Sequence, residues 1–185
     1  WKVVRLDMHH QTPADTGRRD FSQVVLEKRL ADAIHAINDW MEPDQVEEVV
    51  RRLCDFQSPS LIENNKQVLK WMTDGIGVGE NRKTGEPSPT VRIVDFANPV
   101  KNDWLAVSQF KVRIPGREQH IIPDVVLFLN GLPVALIECK SPKVEEPTAE
   151  AIDQILRYSE QRGASGEGNP ALFYYNQFVV ATCRE

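Results

Sequence analysis

Ile122-Pro123-Asp124-Val125-Val126-Leu127-Phe128-Leu129-Asn130-Gly131-Leu132-Pro133-Val134-Ala135-Leu136-Ile137-Glu138-Cys139-Lys140 is the stretch that decides the fold. Two β-rich runs flank Asn130-Gly131, a strong hairpin signal because both residues tolerate positive φ. On the second run Glu138 and Lys140 stand two apart and share one face, with Val134 and Leu136. Ala135, Ile137 and Cys139 share the other, and the alternation directs Cys139 into the core. Apolar on both faces until its end, this run reads as a central strand. Charge at that end is costly unless it is paired or bound to metal.

Register is then decisive. Asp124 and Glu138 can hold one ion only from the same side of the sheet. A loop of Asn130-Gly131 alone sets Asp124 opposite Ile137, whereas a loop of Asn130-Gly131-Leu132 sets it opposite Glu138. A three-residue or bulged turn is therefore expected. Asp124, Glu138 and the Cys139 carbonyl would then form a hard-oxygen ligand set suited to Mg²⁺ or Mn²⁺. Such an ion polarises a scissile phosphate and acidifies a bound water, and Lys140 can orient that water. Asp124, Glu138 and Lys140 are the candidate catalytic residues of a phosphodiesterase. A plain surface Glu–Lys pair at a strand end is the alternative.

Outward from the hairpin, the expected elements are helices followed by strands. A polar, loop-like segment of twenty residues ends at Asp20, which can cap a helix from about Phe21 to Trp40. Helical spacing predicts a second helix after Pro43-Asp44 and a third from about Pro59 to Met72. Strands are expected at Val91 to Phe96, Trp104 to Ile114, Asp124 to Leu129 and Val134 to Lys140. A helix over Thr148 to Gln161 and a strand over Leu172 to Ala181 complete a βαβ crossover with parallel strands. The predicted class is α/β, a mixed central sheet flanked by helices. Gly77 to Thr84 has the length of a phosphate-binding P-loop, but Arg82 replaces its second glycine, so a hairpin loop is expected.

Composition narrows the function classes. The 185 residues are 41% hydrophobic and 26% charged, enough for a core and unlike a disordered chain. No apolar run approaches the roughly 20 residues of a membrane-spanning helix. Cys54, Cys139 and Cys183 form no metal-binding or disulfide pattern, which points to a reducing cytoplasm. A net charge of -5 argues against dense nucleic-acid coating, so any DNA contact must use a local basic patch. Lys111, Arg113, Arg117 and Lys143 are the candidate patch, with ordinary solvated strand charges as the alternative. His120 can line the site, although a solvent-facing loop histidine is the simpler reading. Trp40, Trp71 and Trp104 read as packing residues.

The longer pattern resembles a known family. Gly17-Arg18-Arg19-Asp20-Phe21, Asn98-Pro99-Val100-Lys101-Asn102-Asp103-Trp104, Gln109-Phe110, Pro123-Asp124 through Pro133, Ile137-Glu138-Cys139-Lys140-Ser141-Pro142 and Asn169-Pro170-Ala171-Leu172-Phe173-Tyr174-Tyr175-Asn176-Gln177 resemble the restriction subunit of type I restriction–modification enzymes. The resemblance covers nearly the whole chain. It implies a restriction-endonuclease-like PD-(D/E)xK core at residues 90–185, with an extra N-terminal helical layer at 21–73, in one nuclease domain. It implies cleavage of double-stranded DNA without sequence preference of its own. It also implies partner modification (methyltransferase) and specificity subunits, and ATP used only by a translocase motor outside these residues.

By the same resemblance, a Q-x-x-x-Y motif falls on Gln154 and Tyr158, one helical turn apart, and would help to position DNA. An amphipathic helix with two incidental polar residues is the alternative. Ile122 stands where many relatives carry Arg, which removes one expected phosphate contact. Relatives also begin with a helix bearing an acidic residue near the site. Glu27 is a weak substitute for it, and a chain that opens on Trp1 is expected to be part of something longer. A non-catalytic module that holds DNA or docks subunits is the competing function.

Overall fold

The structure is a computed structural model that describes residues 1–183. Its elements run β1 (Lys2–Arg5), α1 (Glu27–Ile37), α2 (Pro43–Cys54), α3 (Leu61–Asp74), β2 (Ile76–Gly77), β3 (Thr90–Val91), β4 (Trp104–Ser108), β5 (Val112–Arg113), β6 (His120–Ile121), β7 (Val125–Leu129), β8 (Leu132–Lys140), α4 (Pro147–Tyr158) and β9 (Phe178–Cys183). Five strands form one mixed sheet in the order β1-β4-β7-β8-β9. β1 lies parallel to β4, β4 and β8 each lie antiparallel to β7, and β9 returns parallel to β8 after α4. The α/β class, the mixed sheet and the βαβ crossover are as expected.

The β7–β8 hairpin settles the register through a bulge. Leu129 pairs with Leu132 and Phe128 with Pro133, so the loop is only Asn130-Gly131. Leu127 then pairs with Ala135, which leaves Val134 as an extra residue in a β-bulge. Beyond the bulge Val125 pairs with Ile137, so Asp124 comes opposite Glu138. Of the two expected forms, the three-residue loop is not found and the bulge is: a two-residue turn is followed by one extra residue. Pro133, which has no N–H to donate, stands directly before the extra residue, a position where a central strand tolerates proline. The carbonyls released there are captured by neighbours, Pro133 O by Asn176 Nδ2 and Val134 O by the Gln177 N–H at 2.8 Å.

The turn is anchored from below. Asn130 and Gly131 both have positive φ, 53° and 81°, as the tight hairpin turn requires. Asn130 is fully buried. Its side chain accepts from Asp103 N at 2.7 Å and donates to Ile93 O and Asn102 Oδ1 at 2.8 and 2.9 Å. Asn102 in turn clasps both backbone groups of Asp95. Gly131 O accepts the Leu26 N–H at 2.9 Å, which sets the start of α1 against the turn.

Four expected boundaries are corrected. Lys2–Arg5 is an edge strand rather than loop. The first helix begins at Glu27, because Asp20 accepts from Ser22 N in a local turn and Val24, Val25 and Leu26 are buried in irregular backbone. Of Val91 to Phe96, only Val91 is paired in a strand, since Asn38 binds both backbone groups of Arg92 and Asn102 those of Asp95. Pro170–Tyr174 is a 3-10 turn capped by Asn169, so the last strand starts later, at Phe178. The suspected P-loop is the connection of the antiparallel β2–β3 pair, as expected.

One apolar cluster joins both sheet faces to the helices, through Leu30, Ile34, Val49, Leu53, Val107, Phe110, Phe128 and Leu136. Trp40, Trp71 and Trp104 pack against it. Among the described residues, no helix is long and apolar enough to cross a membrane. The turn is the sharpest test of this packing. A Cβ on Gly131 would lie 2.6 Å from Leu26 O and 2.8 Å from Leu30 N, both backbone atoms. Gly131→Ala should therefore cost at least about 2 kcal/mol, read as a lower urea midpoint with an unchanged m-value.

Candidate active site

At the end of the hairpin remote from Asn130, the bulge-corrected register brings the site together. Asp124 stands just before β7 and is half-buried. Its Oδ2 accepts the Cys139 N–H at 2.8 Å, and its Oδ1 accepts Gln109 Nε2 at 2.9 Å. Glu138 is only 2% exposed, and its Oε2 lies 3.5 Å from the Asp124 N. Lys140 Nζ lies 3.6 Å from Glu138 Oε1 and 3.9 Å from Glu150 Oε1. The expectation for Cys139 is reversed: it is exposed, while Glu138 faces the buried side. At this end of β8 the face with Leu136, Glu138 and Lys140 is covered by α4, and the opposite face has lost its cover.

α4 supplies the third wall. Gln154 Nε2 donates to Glu138 Oε1 and, at 2.6 Å, to Tyr158 Oη, while its Oε1 accepts from Lys140 Nζ. Tyr158 Oη donates to Ile122 O at 3.4 Å. The helical pair Gln154 and Tyr158 is thus a bridge that touches both charged side chains of β8 rather than two incidental polar residues. Burial, and then the charge of Glu138, pushes the Tyr158 hydroxyl above its ordinary range, so it stays protonated.

The electrostatics are unbalanced. Burial, and then the neighbouring Asp124 charge, lifts the Glu138 carboxyl to about 7, against the opposing pull of Lys140. Two carboxylates therefore sit side by side with one lysine between them and Glu150. This donor set suits a hard divalent cation, since both carboxylates offer oxygen and the one lysine beside them is shared with Glu150. Among the described residues, no group of three or more His, Cys, Asp or Glu side chains is placed to hold a metal. Further ligands would have to be backbone oxygen or water.

The site opens into a cleft of about 660 Å³ lined by Asp124, Glu138, Lys140, Gln154, Tyr158, Arg117 and His120. Arg157, Arg162 and Gln109 also line it, and sequence reading singled out none of the three as site residues. Arg157 and Arg162 were legible only as exposed helix-end charge; Gln109 stood in the family pattern without a role. Arg162 is paired with Asp153 and Glu167 at 2.7 and 2.8 Å.

The rest of the expected basic patch does not converge. Lys111 Nζ lies over the Phe21 ring, Arg113 pairs with Asp20 at 3.4 Å, and Lys143 is exposed after β8. The expected Trp104–Ile114 strand breaks at Gln109, whose φ of 57° turns β5 away from the line of β4. His120 is half-buried in β6 rather than in a loop, edge-on to Phe21. Glu27 is remote from the cleft; it binds Arg19 and Gln23 at 2.9 and 2.7 Å in the first turn of α1. Arg18, from the N-terminal signature, is a packing residue, 4% exposed and stacked 3.9 Å above the Phe110 ring.

Comparison with known proteins bears on this arrangement. A profile of the family described as "Type I restriction enzyme R protein N terminus" matches residues 1–184. The chain is 29% identical over 165 residues to the type I restriction enzyme HindI endonuclease subunit of Haemophilus influenzae, covering 89% of this chain and 15% of that protein. It is 27% identical over 175 residues to a Methanocaldococcus jannaschii protein named provisionally as type I restriction enzyme MjaIXP endonuclease subunit, covering 92% of this chain and 16% of that one. The chain therefore spans about a sixth of the length of these relatives.

The raised Glu138 carboxyl makes a pH prediction. The folded protein holds a proton there up to about 7, whereas an unfolded chain loses it near the ordinary 4.5. Its stabilising contribution is therefore complete below about 4.5 and is lost as pH rises through about 7. Glu138→Gln cannot ionise and escapes that loss. From pH 5 to pH 8, its stability relative to wild type should shift in its favour by about 1–3 kcal/mol, read from urea midpoints at each pH.

Proposed function

The chain belongs to the family of type I restriction enzyme R protein N termini, and on that premise we propose that it is a metal-dependent DNA endonuclease domain with a PD-(D/E)xK core. The observation that carries this reading is the meeting of the Asp124 and Glu138 carboxylates with the Lys140 amine in one cleft. Asp124, Glu138 and the carbonyl of Cys139 would hold Mg²⁺ or Mn²⁺. The N–H of Cys139 already faces Asp124, and an extended strand turns both backbone groups of a residue to the same edge. When bound, such an ion supplies Lewis acidity at a phosphate oxygen and a water of lowered pKa.

The chain's own residues supply the rest. Lys140 stabilises negative charge on the phosphate in the transition state, from a position held by Gln154. Tyr158 fixes Gln154, and so links the substrate face of α4 to the carboxylates. Arg117 and Arg157 line the same cleft and bind the phosphate backbone, where Ile122 cannot. Backbone contact of this kind carries no sequence information, in keeping with a double-stranded DNA substrate whose recognition is left to specificity and modification subunits. ATP would serve only a motor elsewhere in the complete, cytoplasmic subunit.

The test is Mg²⁺-dependent plasmid cleavage by the complete subunit in its complex. Asp124→Ala and Lys140→Ala should each lower the cleavage rate by at least about 100-fold while ATP hydrolysis continues. Wild-type cleavage by both variants would defeat the catalytic assignment and leave a module that only holds DNA or docks subunits.

A further inference from the structure

Gln109 holds Asp124 at two points, and its neighbour Phe110 adds a third bond to Pro123. Beyond the last β4–β7 pair, the Gln109 N–H donates to Asp124 O at 2.9 Å, and the following Phe110 N–H donates to Pro123 O at 3.2 Å. The Gln109 side chain turns back, and its Nε2 donates to Asp124 Oδ1 at 2.9 Å. This requires the left-handed φ of 57° at Gln109, an uncommon conformation for a residue with a side chain. The kink is itself supported. Gln11, 8% exposed, donates from Nε2 to Gln109 O at 2.8 Å and accepts from Lys111 N at 3.2 Å.

We propose that Gln109, braced by Gln11, is a positioning residue that presents the Asp124 carboxylate to the divalent cation. This rests on the reading of Asp124 and Glu138 as metal ligands. A carboxylate beside a second carboxylate is repelled toward solvent unless something holds it. Gln109 on Oδ1 and Cys139 N on Oδ2 hold it from both sides, and each oxygen keeps a lone pair for a metal. The chemistry at position 109 suits that task. A neutral amide donor orients Asp124 without neutralising it, whereas a lysine would compete with the cation and a glutamate would repel the carboxylate. Outer hydrogen-bond partners of this kind typically contribute about 10–100-fold to metal affinity.

The experiment measures Mn²⁺ affinity of the purified protein by electron paramagnetic resonance, with thermal melting in parallel. Gln109→Asn keeps a residue that tolerates the left-handed backbone but withdraws the amide by one methylene. Gln109→Glu keeps the length and removes the donor. Both should bind Mn²⁺ about 10–100-fold more weakly with a melting midpoint close to wild type, which a merely structural role would not produce. In the wild type, Mn²⁺ should broaden the Gln109 side-chain amide resonances, and Asp124→Ala should abolish that broadening. If Asp124→Ala binds Mn²⁺ as wild type does, the metal reading itself falls. If Asp124→Ala loses the ion while both Gln109 variants keep wild-type affinity, only the role of Gln109 is overturned. Should the variants fail to fold, absence of broadening at Gln109 in the ion-bound wild type overturns it equally.

Discussion

A single extra residue in β8 is the constraint on which the rest depends. Without the bulge at Val134, the two-residue Asn130-Gly131 turn would set Asp124 opposite Ile137 and send Glu138 to the other face. With it, the two carboxylates come opposite each other. The bulge costs two ladder carbonyls, and the chain recovers both through Asn176 and Gln177, next to the start of β9. Residues more than thirty positions downstream thus bind the backbone at the bulge that aligns Asp124 with Glu138. A strand register is discrete, so this control is all or nothing.

The two ends of the hairpin show opposite uses of buried polarity. At the turn, the Asn130 and Asn102 side chains satisfy each other and the backbone of Ile93, Asp95 and Asp103, and the network pins that segment to the hairpin. Neutral amides there serve stability. At the far end Asp124 and Glu138 are held close although they repel, and burial, then the Asp124 charge, raises the Glu138 carboxyl to about 7. Like-charged groups held together at a cost to stability are what functional sites show and cores avoid.

Legibility in the sequence followed how local each cause was. The helices α2, α3 and α4 were readable because their apolar faces repeat at helical period, and the Asn130-Gly131 turn because positive φ is a local demand. The meeting of Asp124 and Glu138 was legible as a condition on register that a three-residue loop or a bulge would meet; which of the two holds depends on pairing along the whole hairpin. The segments misread as strands, Arg92 to Phe96 and Leu172 to Gln177, are apolar and β-prone, but most lie near asparagines that claim their backbone groups. Gln109 was invisible as a site residue because nothing in one sequence shows a left-handed backbone at a glutamine.

By itself, then, the sequence determined the mixed α/β order, the hairpin, and which acidic and basic groups stand at its open end, because these follow from residue type and spacing along one strand or helix. Only the tertiary structure decided that Glu138 is buried while Cys139 is exposed, that Gln154 bridges Glu138 and Lys140, and that Arg117 reaches the cleft while Lys111, Arg113 and Lys143 do not. Which face of a strand is covered depends on where a helix docks, and the charge state of a carboxyl depends on what surrounds it. Both are set by contacts between residues far apart in the chain, and no local pattern encodes them.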